Sequence, residues 1–291
     1  MYKLAILGCE NSHANSFLNH VKSTKYKDLV EFVGVYSDEK EAAQKLSEEF
    51  GVYVAETYDE FVGKVDAIVI TARHGDNHYK YAKPYIKSGI PMFIDKPITC
   101  TEEDAAEFME ELIKNNVPIC GGSTCIFADT VQKYKKIVQE QEYGKVLGGF
   151  LRAPLVADSP YGGFYFYSQH LVQIMMEIFG NYPDSVTATQ NGKNVECMVK
   201  YSDKIVHLSF ADNVWNYYAS VSCEEKCEGE MFEGAATFAF EFEEFYKLVS
   251  ERKQPQEYKD FFAPVYILTA IMRSLKSGKE EKINKYNWKN S

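Results

Sequence analysis

The tripeptide Asp95-Lys96-Pro97 contains the side chains of this chain that are best suited to chemistry on a substrate. It follows an apolar run, residues 91–94, which predicts a buried strand. A lysine at the carboxyl end of a parallel strand lies where open α/β sheets bind ligands, and a proline after it ends the strand and fixes the turn. Lys96 could therefore bond a substrate hydroxyl and share its proton as that hydroxyl becomes a carbonyl, while the carboxylate of Asp95 holds the ammonium in place.

The segments around Lys96 alternate between short apolar runs and longer amphipathic stretches. Such alternation predicts strands and helices in turn, and therefore a parallel, doubly wound sheet. The predicted strands are 3–7, 31–36, 52–55, 67–70 and 91–94, and the predicted helices are 12–23, 39–50, 58–62 and 78–88.

A strand, a glycine turn and a helix at the start of the chain predict a phosphate site at the first switch point of the sheet. The three positions of the dinucleotide fingerprint Gly-x-Gly-x-x-Gly are Gly8, Glu10 and His13, so only the first glycine is present. The charge of Glu10 would repel a pyrophosphate by about 1–4 kcal/mol. Either Glu10 turns away, or the dinucleotide binds differently, or it does not bind. Ser12 and His13 could donate to a phosphate, His13 could equally cap its own turn, and Asn11 or Ser12 suits the N-cap.

The end of the second predicted strand indicates two different ribose partners. Ser37, with Lys40 nearby, would tolerate a 2′-phosphate and hence NADP, whereas an acidic Asp38 would favour NAD. Asp38 could equally serve as the N-cap of the following helix. NAD and NADP therefore both remain open.

The order of these features resembles the glucose–fructose oxidoreductase / inositol dehydrogenase / rhizopine-catabolism (Gfo/Idh/MocA) family. Residues 88–97 look like its strand that ends in Glu-Lys-Pro, with Asp95 in place of the usual glutamate. The other matching features are the strand with Gly8, the strand 67–72, the loop that ends in His78, and Gly162-Gly163 followed by His170.

The resemblance implies a Rossmann domain followed by an α+β domain with an open antiparallel sheet. It implies an oxidoreductase that uses NAD or NADP on a sugar-like or cyclitol hydroxyl or carbonyl. Lys96 would bond the reacting oxygen, and His170 would accept the proton or orient the substrate. The cofactor-binding set would be Gly8, Glu10, Asn11, Ser12, His13, Ser37, Asp38, Thr71, Ala72, His78, Asp95 and Lys96.

The segment around His170 departs from the family pattern. Phe166 and Gln173 stand at two positions that are often acidic in the family, so a histidine–carboxylate pair is absent. Tyr165 or Tyr167 could supply a hydroxyl or stack on a sugar face. These departures leave an alternative open, which is a catalytically inactive ligand-binding or regulatory protein on the same fold.

Residues 185–231 alternate in period two, with hairpin turns at 191–192 and 202–203, and predict an antiparallel sheet. We therefore expect a dinucleotide-binding domain over 1–122 and an α+β domain over 123–291, and the boundary allows the chain to cross back to the first domain. Trp215 and Tyr217 are expected to share one face of a strand. An exposed apolar face, together with the resemblance, predicts a homodimer or homotetramer formed through this sheet.

Composition bears on the partners, the cellular location and the metal sites to be expected of this chain. The chain has 32 Lys and Arg against 42 Asp and Glu, a net charge of −10, and shows no basic stripe, so no nucleic-acid partner is expected. No apolar run is long enough to span a membrane, and the chain starts directly with a strand, which predicts a cytoplasmic protein. Its 7 cysteines are scattered like reduced thiols, and no spacing predicts a metal site.

Overall fold

The computed structural model describes residues 1–234 and 238–285. The chain divides into two compact units. The first contains residues 1–122 together with 238–261, and the second contains 123–234 and 262–285. The last part of the predicted second domain, 286–291, lies outside the described residues.

The first unit is built on a six-stranded parallel sheet in the order β3-β2-β1-β4-β5-β6. The predicted doubly wound sheet is therefore confirmed, with β2 and β4 on either side of β1. The strands are β1 Tyr2–Leu7, β2 Val30–Tyr36, β3 Tyr53–Val54, β4 Ala67–Ile70, β5 Met92–Asp95 and β6 Ile119–Gly122. The helices are α1 Ser12–Ser23, α2 Lys40–Phe50, α3 Asp76–Ile86 and α4 Glu102–Lys114, and a later helix, α7 Phe238–Glu251, returns to this unit.

Two details of the predicted first half are wrong. Residues 58–62 form turns rather than a helix, and the third strand contains only two residues instead of four. Both segments are too short for periodicity to separate a helix from a turn.

Aromatic side chains from distant parts of the chain form the core of the first unit. The ring of Phe17 in α1 packs edge-on against Phe93 in β5 and Phe242 in α7, with centroids 5.1 Å and 5.4 Å away. Phe245 of α7 also contacts Phe93, at 5.9 Å. Each such pair contributes roughly 0.5–1.5 kcal/mol beyond its buried area. Helix α7 is therefore an integral part of the first unit.

The second unit is built on a seven-stranded sheet in the order β12-β11-β7-β10-β9-β8-β13. Only β7 and β10 pair in parallel, so the predicted open and mainly antiparallel sheet is confirmed. The strands are β7 Val146–Leu155, β8 Ser185–Asn191, β9 Asn194–Lys200, β10 Ile205–Asp212, β11 Tyr217–Cys223, β12 Cys227–Phe232 and β13 Glu281–Lys282. The helices are α5 Asp129–Glu140, α6 Phe164–Phe179 and most of α8 Tyr258–Ser277. No helix in the described residues is long and apolar enough to cross a bilayer.

The prediction that Trp215 and Tyr217 share one face of a strand is wrong. Trp215 lies before β11 and does not belong to the strand, while Tyr217 is buried. The opposite face carries the exposed apolar side chains, because strand residues alternate between faces. There the rings of Phe150 and Tyr218 lie 5.9 Å apart, and Met231 is 57% exposed.

Candidate cofactor and active site

Lys96 follows the last residue of β5 and is almost completely buried, as is Asp95 before it. The N–H of Lys96 donates to Oδ1 of Asp95 at 2.7 Å. The other carboxylate oxygen lies 3.0 Å from Nδ1 of His13. Burial alone would raise the pKa of Asp95, but the charges of His13 and Lys96 and a hydrogen bond from His13 together lower it to about 2. Asp95 is therefore an ionised group beside Lys96 at neutral pH.

The loop before α1 is held together by the side chain of Asn11. Its Oδ1 accepts the N–H groups of His13 and Ala14, so Asn11, and not Ser12, is the N-cap. Its Nδ2 donates to the carbonyl of Thr71 at 2.6 Å and to Asp95 at 3.0 Å. The imidazole of His13 turns toward Asp95 instead of capping its own turn. The first N–H groups of α1 are thus already bonded within the loop.

The side chain of Glu10 bridges the ends of β2 and β4, the two strands on either side of β1. One carboxylate oxygen accepts the hydroxyl of Ser37, after β2, at 2.7 Å. The other accepts the N–H of Arg73, after β4, at 2.9 Å. The Glu10 carboxylate thus lies in the crevice at the carboxyl ends of these strands, where doubly wound folds bind nucleotides.

Asp38 is held by tyrosine hydroxyls. The hydroxyls of Tyr36 and Tyr81 donate to its two oxygens at 2.5 Å and 2.7 Å. Burial raises the pKa of Asp38, but these hydrogen bonds and the ammonium of Lys80 outweigh it and lower that pKa below its usual value. Asp38 does not cap α2, because the N-cap position is occupied by Glu39, whose N–H donates to Oγ of Ser37 at 3.1 Å. An open groove of about 710 Å³ is lined by Ser37 and Asp38, a size suited to a small ligand.

Three predicted cofactor residues after β4 hold the loop to its neighbours. The hydroxyl of Thr71 donates to the carbonyl of Gly8 at 2.7 Å. Gly8 has a φ of +78°, and a Cβ there would lie 2.5 Å from Ala72, so only glycine fits. His78 is fully buried with Nε2 at 2.8 Å from the carbonyl of Ala72, and burial lowers its pKa. A direct cofactor contact by His78 stays a prediction, and its observed contact fixes the loop.

Glu241 in α7 is a buried acid that the sequence reasoning missed. It is 2% exposed and lies 3.9 Å from Nδ1 of His13, and no described residue donates a hydrogen bond to its carboxylate. Burial, followed by the charge of Asp95, raises the pKa of Glu241 well above its usual range and so favours the protonated form of the carboxyl. The available signal was its place between Phe238, Phe242 and Phe245, whose helical spacing puts them on one apolar face.

His170 belongs to the second unit and has a polar partner that the sequence reasoning also missed. Its Nδ1 lies 2.6 Å from Oγ of Ser123 and 3.4 Å from Sγ of Cys125. The ring of Tyr167 contacts the imidazole edge-on, with centroids 4.7 Å apart. The hydroxyl and the thiol thus lie beside a histidine that lacks the family's acidic neighbours. Both come from the segment directly after β6.

The residues near His170 lie on the same helix as it does. Helix α6 begins at Phe164, so Tyr165 and Tyr167 lie in its first turn. The hydroxyl of Tyr165 lies 3.5 Å from that of Thr269. Gln173 accepts a hydrogen bond from Gln169 at 2.9 Å. Lys96 and the cofactor candidates therefore belong to the first unit, and Tyr165, Tyr167 and His170 belong to the second.

Residues 2–122 match the oxidoreductase family with an NAD-binding Rossmann fold, Gfo/Idh/MocA. This match identifies residues 2–122 as the Rossmann domain of that family. The whole chain also has the fold of a solved structure, a scyllo-inositol dehydrogenase from Lactobacillus casei with bound NAD(H) and scyllo-inositol. The two share 14% identity over 97% of this chain and 99% of that one, with a TM-score of 0.84.

Two curated relatives match this chain over shorter stretches. An uncharacterized oxidoreductase of Streptococcus pneumoniae is 28% identical over 169 residues, which are 53% of this chain and 44% of the relative. A 2,7-anhydro-N-acetylneuraminate hydratase of Mediterraneibacter gnavus is 25% identical over 194 residues, which are 60% of this chain and 50% of the relative. The matches thus span about half the length of these relatives.

Proposed function

We propose that this protein is an NAD-dependent oxidoreductase that interconverts a hydroxyl and a carbonyl on a sugar-like or cyclitol substrate. The observation that carries the proposal is Lys96, which follows the last residue of β5 beside the ionised Asp95, within residues that match an NAD-binding oxidoreductase family. The scyllo-inositol dehydrogenase of similar fold, which contains NAD(H) and scyllo-inositol, supports the substrate class.

Asp38 supports NAD in preference to NADP. Its carboxylate is fixed by two tyrosine hydroxyls, and its lowered pKa keeps it charged. Such a group can accept both ribose hydroxyls of NAD, whereas it would repel a 2′-phosphate. The turn at Gly8 and the start of α1 would lie beside the pyrophosphate. Glu10 is the residue that fits a dinucleotide poorly, because its carboxylate occupies that part of the crevice.

The bound nicotinamide supplies hydride transfer, and the protein must handle the proton. In this proposal the ammonium of Lys96 donates a hydrogen bond to the reacting oxygen and stabilises the negative charge that develops there. His170 accepts or relays the proton, with Nδ1 held by Ser123.

The test begins with a screen of inositols and aldoses with NAD, followed by replacement of Lys96. Lys96→Ala should lower turnover at least about a hundredfold, since positioned proton-transfer groups contribute that much or more. The exposed Lys64 gives the matched control, Lys64→Ala, which should keep full turnover. Turnover within a few-fold of the original in Lys96→Ala would show that the assigned role is wrong.

A catalytically inactive ligand-binding protein on the same fold is the second candidate. The observation that favours it is the crevice itself, where Glu10 and Asn11 already bond the groups that would face a pyrophosphate. A thermal-shift panel of NAD, NADH, NADP and NADPH separates the two functions. A ligand at a hundred times its Kd stabilises the native state by about 2.7 kcal/mol. No shift with any form at millimolar concentration would favour the inactive protein.

A further inference from the structure

A histidine, a carboxylate and a thiol converge near the carboxyl end of the first unit's sheet. His74 and Asp76 lie at the start of α3, and Cys100 lies four residues after Lys96. One ligand atom from each lies within 4.8 Å of the other two, and Nδ1 of His74 is 3.7 Å from Oδ2 of Asp76. Within residues 1–234 and 238–285 no second group of this kind occurs.

Close packing of two neighbouring loops brings these three residues together. Strands β4 and β5 pair in parallel, so the segments that follow them leave the same edge of the sheet. Gly75 lies between His74 and Asp76, and a Cβ there would be 2.8 Å from the carbonyl oxygen of Pro97 and 3.1 Å from Sγ of Cys100. The thiol also contacts the backbone N–H groups of Gly75 and Asp76. The absence of a side chain at Gly75 is therefore what allows the thiol to approach the start of α3.

We propose that His74, Asp76 and Cys100 bind a divalent transition-metal ion, with zinc as the favoured class. Imidazole, carboxylate and thiolate are all zinc ligands, whereas a thiolate disfavours calcium and magnesium. Tetrahedral zinc with ordinary bond lengths holds its ligand atoms about 3.3–3.8 Å apart, close to the histidine–aspartate separation here. Three protein ligands leave a fourth position for water or an added ligand.

Two of the three proposed ligands are accessible to solvent. The side chain of His74 is 32% exposed and that of Asp76 is 56% exposed. In the structure, Nδ1 of His74 accepts the N–H of Asp76 at 3.3 Å, a long hydrogen bond that a metal bond would replace. The thiol of Cys100 would release its proton on binding.

A bound metal would join the loop after β4 to the segment that follows Lys96. Pro97, which contacts Gly75, is the residue next to Lys96. The metal would therefore restrain the turn that carries Lys96, the proposed substrate-binding residue. This consequence does not depend on the nature of the substrate or on whether the protein is active.

Cobalt is the probe, because its spectrum reports the ligands directly. Reduced protein freed of metal with a chelator is titrated with Co²⁺. We expect a near-ultraviolet thiolate charge-transfer band and tetrahedral visible bands that one equivalent of Zn²⁺ abolishes. Cys100→Ser should remove the thiolate band, and His74→Gln and Asp76→Asn should each weaken binding at least about tenfold.

The controls use residues of the same type outside the cluster. Cys227→Ser, at an exposed thiol, and His207→Gln, at an exposed histidine, should retain the full cobalt spectrum. Circular dichroism confirms that each variant is folded. The proposal is overturned if the original protein shows no thiolate band, if the band survives in Cys100→Ser, or if His74→Gln and Asp76→Asn both bind cobalt unchanged.

Discussion

Glu10 and Ser37 are joined by a hydrogen bond of 2.7 Å, so the fingerprint position closest to a pyrophosphate is bonded to a residue at the ribose position. The same carboxylate accepts the N–H of Arg73, and Asn11 accepts the first N–H groups of α1. The Glu10 carboxylate and the N–H groups of His13 and Ala14 are therefore already bonded within the protein. A bound cofactor must displace Glu10 or accommodate its charge.

Replacement of Glu10 should tighten dinucleotide binding. Glu10→Gln keeps the size of the side chain but removes a charge whose repulsion is about 1–4 kcal/mol, so we expect NADH to bind at least about fivefold more tightly. Titration followed by NADH fluorescence measures the change. Adenosine, which lacks the pyrophosphate, should bind equally to both proteins, and Glu31→Gln on the exposed side of β2 is the matched control. Weaker NADH binding in Glu10→Gln would instead make Glu10 a cofactor ligand.

The buried acid Glu241 should make stability depend on pH. Its pKa is raised in the folded protein, so the folded state keeps a proton that the unfolded chain releases above pH 4.5, the ordinary value. The contribution of Glu241 to the free energy of unfolding is therefore complete below pH 4.5, and it declines as the pH rises toward the raised pKa. Glutamine cannot titrate, so Glu241→Gln should gain stability relative to the original protein, by up to about 1.4 kcal/mol per pH unit in that window.

Chemical denaturation at pH 5 and pH 8 measures this gain. Glu251→Gln, at the exposed end of the same helix, is the control. Its free energy of unfolding should differ from that of the original protein by the same small amount at both pH values. If the difference in free energy of unfolding between Glu241→Gln and the original protein stays constant from pH 5 to pH 8, Glu241 is ionised in the folded state.

Ser123 should act as a positioning residue for His170. Their hydrogen bond of 2.6 Å fixes the orientation of the imidazole, and such a bond contributes about 0.5–1.5 kcal/mol. We therefore expect Ser123→Ala to lower kcat/KM up to about tenfold and to displace the pH profile, while Ser123→Thr, which keeps the hydroxyl, restores both. An unchanged pH profile in Ser123→Ala would show that Ser123 does not position His170.

The exposed face of the second unit's sheet should form the interface of a homodimer or homotetramer. Phe150 is 39% exposed there, beside Tyr218 and Met231, and contiguous exposed apolar side chains mark protein contacts. Light scattering at micromolar concentration should give a multiple of 33.3 kDa. Phe150→Glu should dissociate the assembly, whereas Tyr53→Glu, at an aromatic of the first unit that is 52% exposed, should not. A monomeric mass in the original protein rules the interface out.

Local patterns were sufficient to predict the parallel sheet and the position of Lys96. The strand before Lys96 is a short apolar run, and Pro97 directly after Lys96 marks the turn that follows it. The fingerprint positions also showed that Glu10 would be unusual, although the sequence left three outcomes open. The structure shows its carboxylate bonded to Ser37 and Arg73.

The partners of the site residues could not be predicted because they come from distant segments. Glu241 reaches His13 from 228 positions later in the chain, and Ser123 reaches His170 across 47 positions. The metal-ligand group has the same origin, since Cys100 joins His74 and Asp76 only through the packing of two loops. No periodicity or spacing rule covers contacts of this kind.

The return of α7 to the first unit has a consequence for synthesis on the ribosome. The core of that unit contains Phe17 near its start, and also Phe242 and Val249. The amino-terminal segment therefore emerges long before the helix that completes its core, and the whole stretch 123–237 is made in between. The usual order, in which the amino-terminal domain folds first during translation, does not hold here. A nascent chain stopped at residue 122 should expose the aromatic side chains that α7 later covers, and it should require a chaperone.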